Sequence, residues 1–144
     1  MNSFYASTFG GHLPPFFRGH FNRFFQQIAR NPPIAELLSR VKWMRYIRMA
    51  YDSTAVRDDV RKAIERLKKC GMKPAKMFFY VLVREVDDAL ARIEELDALG
   101  CQPFAQPYRD FENKIRPTPE QRRLARWCNH KPTFHTVNYK NYKE

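Results

Sequence analysis

Ile64-Glu65-Arg66-Leu67-Lys68-Lys69-Cys70-Gly71 and Ile93-Glu94-Glu95-Leu96-Asp97-Ala98-Leu99-Gly100 are the same joint written twice. Each copy sets Ile and Leu three residues apart, places an apolar residue three further on, and then ends in Gly. A helix with one buried face ends this way when glycine takes the left-handed position just past its last turn. The copies lie 29 residues apart (64 to 93), about the length of one βα unit. The stretch from Tyr46 to Tyr108 therefore reads as strand, helix, strand, helix, strand, a piece of parallel α/β structure.

Working outward, the first strand is Tyr46 to Tyr51, and either Asp52 or Ser53 can cap the helix that follows. Val56, Val60, Ile64 and Leu67 are spaced for one buried helical face, with basic residues between them. Met77 to Val83 is a continuous apolar run, the pattern of a strand buried on both faces. Arg84-Glu85-Val86-Asp87-Asp88 ends that strand and opens the next helix with acids in its first turn. The third strand, Gln102 to Gln106, is broken by Pro103 and followed by Pro107, which marks an edge or final strand. Thr118 as cap with Pro119 in the first turn opens a last helix to about Asn129, with Leu124 and Trp127 three apart.

Residues 1–42 form an aromatic, basic N-terminal segment with short helices, one from Arg18 to Arg30 and one from Ile34 to Val41. Asn31-Pro32-Pro33 separates them. Phe4, Tyr5, Phe9, Phe16, Phe17, Phe21, Phe24 and Phe25 suit a lid or an interface, and a stacking platform for single-stranded nucleic acid is a further reading. Residues 43–112 are the βαβαβ core, and residues 113–144 are the C-terminal helix and a basic tail without a strong pattern.

A chain of 144 residues, 44% apolar and 15% aromatic, is one domain's worth and too apolar for disorder. No apolar run is long enough to span a membrane, and no secretory leader is legible at the N-terminus. Three cysteines at wide spacing, Cys70, Cys101 and Cys128, indicate free thiols in a reducing compartment, so the cytoplasm is expected. The net charge of +11 is unevenly spread: residues 1–51 carry seven basic and one acidic side chain, residues 52–112 eleven and twelve, and residues 113–144 eight and two. The surplus thus lies in the flanks, as solvated surface or as a surface for nucleic acid.

Parallel α/β structures put their sites at the C-terminal ends of the strands. Those ends are Asp52 and Ser53, then Arg84 and Glu85, then Gln106, Tyr108, Arg109 and Asp110. Together they read as a pocket rim, and singly as helix caps and loop residues.

Ile47-Arg48-Met49-Ala50-Tyr51-Asp52, Phe79-Tyr80-Val81-Leu82-Val83 and Pro103-Phe104-Ala105-Gln106-Pro107-Tyr108-Arg109-Asp110-Phe111 resemble the later strands of radical S-adenosylmethionine (SAM) enzymes. Pro117-Thr118, Leu124-Ala125-Arg126-Trp127-Cys128-Asn129 and the lysine-rich tail resemble the end of one bacterial branch, so the likeness covers residues 43–144. It implies a partial parallel βα barrel of six strands, with a three-cysteine loop after the first strand holding a [4Fe-4S] cluster that cleaves SAM to a radical. It also implies cofactor-binding roles: Asp52 and Ser53 near the ribose, Arg84 and Glu85 at the fifth strand's end, and Gln106 and Tyr108 near the adenine or substrate. Arg109 and Asp110 would face the substrate.

The three-cysteine loop is missing here, as is the Gly-Gly-Glu-Pro type of motif; Gly10-Gly11-His12 does not replace it. The chain therefore reads as the C-terminal half of such an enzyme, inactive alone, with no cofactor, metal or catalytic residue of its own. SAM and the cluster would come with an N-terminal half. A truncated gene, a partial reading frame and one piece of a split protein all fit. The open edge of the first strand predicts a partner: the missing half, a second copy, or the aromatic N-terminus folded over it. The alternative function is a small basic α/β nucleic-acid-binding protein using Arg122, Arg123 and Arg126. Cys128, His130 and His135 form a weak zinc candidate, and Glu94-Glu95 reads as a solvated helix face.

Overall fold

A computed structural model describes residues 25–143 of the chain. Residues 25–30 are helical (α1) and lead into α2 (Pro32–Arg40). Then come β1 (Ile47–Ala50), α3 (Arg57–Lys69), β2 (Met77–Val83), α4 (Val86–Ala98) and β3 (Gln102–Pro107). The chain ends in α5 (Pro119–Asn129) and α6 (Lys131–Thr136). The expected helix from Arg18 lies outside the described residues up to position 24, as do the aromatics from Phe4 to Phe24. Pro32 and Pro33 do more than end α1: they occupy the first turn of α2, where a missing N–H costs nothing.

The three strands form one sheet in the order β1-β2-β3, and both pairings are parallel. Ile47 lies opposite Met77, and Phe78 opposite Gln102. The repeated joint has the same geometry in both copies. Gly71 has φ 90° and Gly100 φ 77°, the left-handed region that a side chain resists. In the first copy Gly71 N donates to Lys68 O (2.9 Å) and Met72 N to Leu67 O (2.9 Å). In the second, Gly100 N donates to Asp97 O (2.8 Å) and Cys101 N to Leu96 O (2.9 Å). These are the paired bonds that satisfy the orphan carbonyls of a helix end, and the residue after each glycine is buried with the leucine it bonds.

β2 departs from the expectation of burial on both faces. Met77, Phe79, Val81 and Val83 are fully buried, while Phe78, Tyr80 and Leu82 between them are half-buried. Among the described residues the helices cover one face only, with α4 on β2 and β3 and the ring of Phe25 stacked on Phe79 at 5.6 Å. On the opposite face the apolar side chains pack on one another. Phe78 lies 5.5 Å from Tyr46, 5.2 Å from Tyr80 and 5.6 Å from Phe104, ring centre to ring centre. A continuous apolar run thus serves a one-sided sheet because its second face is aromatic rather than polar.

The two edges of the sheet differ. Beyond β3 lies α5, packed on both β3 and α4. Asn129 Oδ1 accepts from Ala105 N (2.8 Å), its Nδ2 donates to Ala105 O (2.9 Å), and Lys131 Nζ donates to Pro103 O (3.0 Å). Side chains therefore bond the strand where a fourth strand would. β1 is the other edge, and no strand of the described residues pairs with its outer side. The tail, without pattern as sequence, is folded: Phe134 and Tyr139 pack on Trp127 at 4.9 and 5.3 Å, and Trp127 Nε1 donates to Val137 O (2.7 Å).

Candidate functional site at the strand ends

Each strand delivers its next residues to one end of the sheet because all three run the same way. β1 hands over to Asp52, which is half-buried, and Ser53, which is exposed. Ser53 Oγ accepts from Ala55 N (3.2 Å) and caps a short turn, Thr54–Val56, ahead of α3. β2 hands over to Arg84 and Glu85, both exposed. Glu85 begins α4 through its carbonyl, which accepts from Ala89 N (3.0 Å), rather than through its side chain.

β3 contributes the best-defined part of this end. Gln106, half-buried, alternates with Ala105 and so shares the uncovered face with Phe104. Tyr108 N extends the pairing to Val83 O (2.9 Å), which carries its ring beneath Arg84, whose guanidinium carbon lies 4.4 Å from the ring centre. Tyr108 Oη donates to Asp110 Oδ2 (3.4 Å). The structure therefore brings Arg84, Tyr108 and Asp110 together. Ser53 is not drawn into that group, because its hydroxyl is spent on the cap at the β1 end.

Arg109 and Asp110 separate in role. The Arg109 guanidinium is exposed and sits 5.4 Å from the ring centre of Phe111. Asp110 organises its own turn: its carboxylate accepts from Asn113 Nδ2 (2.8 Å), Asn113 N (3.0 Å) and Glu112 N (3.0 Å). These bonds, led by the one from the Asn113 side chain, hold the Asp110 carboxyl below its usual range.

Two groups that hold this end together were not legible as site residues. Arg92 on α4 is 1% exposed. It donates to Tyr51 O at the end of β1, to Leu82 O on β2 (3.0 Å) and to Asp88 Oδ2, which it approaches to 2.7 Å. One buried cation thus fixes the two strand ends that present Asp52 and Arg84. Its signal was an arginine inside the buried stripe Ala89, Ile93 and Leu96. The second is Glu95, which corrects the reading of a solvated face: its side chain is 10% exposed and binds Arg57 (3.1 Å), Arg61 and the hydroxyl of Tyr51 (3.0 Å). Burial foremost pushes the Tyr51 phenol up.

Gln121 links this end to α5. Its backbone N–H donates to Thr118 Oγ1 (3.2 Å) and its Oε1 accepts from Thr118 N (2.9 Å), a reciprocal cap. Its remaining donor, Nε2, reaches Arg84 O (2.7 Å).

The cysteines do not make an iron–sulfur trio. Cys70 closes α3, Cys101 sits just before β3 and Cys128 lies in α5, and burial pushes the Cys101 thiol to about 12 and the Cys128 thiol to about 11. A cluster needs three thiolates converging on it, and these three sit at three different elements. The zinc candidate fails on geometry as well: Cys128 is buried while His130 is exposed and bonded to Thr133 Oγ1 (2.7 Å). Among the described residues no three His, Cys, Asp or Glu side chains are placed to hold a metal ion. No helix of the described residues is long and apolar enough to cross a membrane. No family model, no curated protein and no solved structure matches the chain.

Proposed function

We propose that the chain is the C-terminal side of a partial βα barrel of the radical SAM type. In this reading the strand ends face cofactor and substrate, and activity also requires the cluster-bearing strands of such a barrel. The observation that carries the proposal is the asymmetry of the sheet. All strands are parallel and one face is covered by helices; the β3 edge is closed by Asn129 while the β1 edge takes no described strand. A barrel fragment needs such an arrangement: further parallel strands add beside β1, and the aromatic face of Phe78, Tyr80 and Phe104 then looks inward.

Asp52 and Ser53 would lie toward the ribose, with Arg84, Glu85, Gln106 and Tyr108 toward the adenine or substrate. Arg109 and Asp110 would line the substrate side. The family likeness supplies these roles, and the Arg84–Tyr108–Asp110 grouping supports the third-strand part of them. SAM and the [4Fe-4S] cluster enter with the other half, in the reducing cytoplasm that free thiols suit.

Anaerobic reconstitution with iron and sulfide tests the division of labour. The isolated chain should give no visible cluster absorption, and a cluster spectrum would contradict the assignment of the three cysteines. Hydrophobic-dye binding tests the open edge: the chain should bind dye as a monomer or be found associated. A monomer that binds none would show that the rest of the chain already covers this surface.

A further inference from the structure

Parallel strands gather their starts at one end of the sheet, opposite the end that carries Asp52, Arg84 and Tyr108. The register fixes which residues meet there. Ile47 pairs with Met77, so the segments entering β1 and β2 arrive side by side. The first is Val41-Lys42-Trp43-Met44-Arg45-Tyr46 and the second Lys73-Pro74-Ala75-Lys76. Apolar surface is concentrated on the first. The large apolar residues left exposed among the described residues are Leu37, Val41, Met44, Tyr46, Phe111 and Ile115. Four of them lie between positions 37 and 46, on α2 and the segment that joins it to β1. Met44 is 97% exposed, so it projects from the molecule rather than lining a cleft. Phe111 and Ile115 belong to the turn after β3, at the opposite end and in the company of Asp110, Glu112 and Glu120.

Basic side chains surround Met44. Lys42, Arg45, Arg48, Lys73 and Lys76 are exposed, and no acid of the described residues forms a salt bridge with any of them. Neither entering segment contains an acid. Acids do occur on the adjoining helices: Glu36 is held by Arg40 (3.3 Å), while Glu65, Glu94 and Asp97 lie exposed on α3 and α4. Apolar and basic residues thus alternate along a projecting segment. A protein interface instead gathers its apolar residues inside a polar rim and is poor in lysine. A phosphodiester chain would match the cations and leave Met44 in water. An anionic bilayer meets both, with headgroup charge in a plane and an acyl boundary just beneath it.

We infer that the end of the sheet where the strands begin docks on an anionic lipid surface. Met44 and Val41 enter the acyl boundary, and Lys42, Arg45, Lys73 and Lys76 meet the headgroup phosphates. This surface does not depend on the barrel reading, because it lies at the end away from the proposed cofactor side. The test is co-sedimentation of the full chain with large vesicles of phosphatidylcholine, alone or mixed with phosphatidylserine. The chain should bind the mixed vesicles only, and high salt should release it. Acyl chains bearing bromine should quench Trp43, which adjoins Met44, whereas Trp127 is buried.

Each basic side chain near such a surface is worth roughly fivefold in partitioning, so K42Q/R45Q should lose about 25-fold. M44D places a charge where an apolar group should insert and should lose about tenfold or more. K114Q/R116Q makes the same change in net charge in the exposed turn after β3 and should cost less than about threefold. Equal losses in the two charge variants would overturn the proposal, because net charge alone would then explain binding. Unchanged binding by M44D would overturn it as well, since nothing would then insert. Competition by an oligonucleotide or polyglutamate as effective as by added mixed vesicles would assign the surface to a soluble polyanion instead. Absence of binding by the unaltered chain would end it.

Discussion

Asn129 bonds both backbone groups of Ala105, its Oδ1 to the N–H at 2.8 Å and its Nδ2 to the carbonyl at 2.9 Å. A side chain on α5 thereby stands in for a neighbouring strand and stops the sheet at β3. Any continuation of the sheet must take place at β1. Asn129→Ala leaves a donor and an acceptor of the strand without these partners and should cost about 2 kcal/mol in urea unfolding. Asn129→Asp should cost a similar amount, because a carboxylate cannot donate to the carbonyl.

Arg92 should be the most sensitive charged position. It is buried, and its guanidinium is shared by Tyr51 O, Leu82 O and Asp88. Arg92→Met leaves two strand carbonyls without that donor and should lower stability by about 3 kcal/mol. Arg92→Lys keeps the charge but loses the planar fork, so urea unfolding should place it between the two. A loss below about 1 kcal/mol in Arg92→Met, the net worth of a single ordinary hydrogen bond, would show that the strand ends do not depend on this residue.

The two glycines at the repeated joint should behave alike. An added Cβ meets nothing within 4 Å at Gly71 and makes only an ordinary contact with Pro74 at 3.4 Å at Gly100. The penalty for alanine is therefore one of backbone conformation, about 1 kcal/mol at each position. The sites end different helices, so the double variant should lose the sum. Thermal or urea unfolding of the single and double variants checks both statements.

Asp110 sets a pH dependence with a defined sign. Its folded carboxyl titrates below the usual value, led by the hydrogen bond from the Asn113 side chain. The turn's contribution to stability is thus fully present above the unfolded carboxylate value, about 3.9. It is lost as pH falls through the lowered folded value. Tracking the Asn113 side-chain amide by NMR during acidification should show it released below that ordinary value. Release at or above it would contradict the bonding described.

Much of the fold is written locally. The glycine-ended helices, the Thr118 cap and the face of α3 arise from residues close in sequence, and they fix direction and layering. The partly exposed face of β2 was not legible, because Phe78 and Tyr80 are apolar whichever way they point. Arg92 and Glu95 resemble ordinary surface charges of a helix until their partners from β1, β2 and α3 are in place. The tail escaped for the same reason: α6 is short, and the residues after it are held by Trp127 and Arg123. At the candidate site, strand order alone gave the polar ends. The stacking of Arg84 on Tyr108 and the closed turn of Asp110 depend on where β3 meets β2.

The most direct test of the cofactor-side reading is an amide NMR titration with SAM of the labelled chain joined to a cluster-bearing N-terminal half of a radical SAM enzyme. Shifts confined to residues 52–53, 84–85 and 106–110 are the predicted result. Saturating ligand with those residues unmoved, or shifts gathered elsewhere, would contradict it.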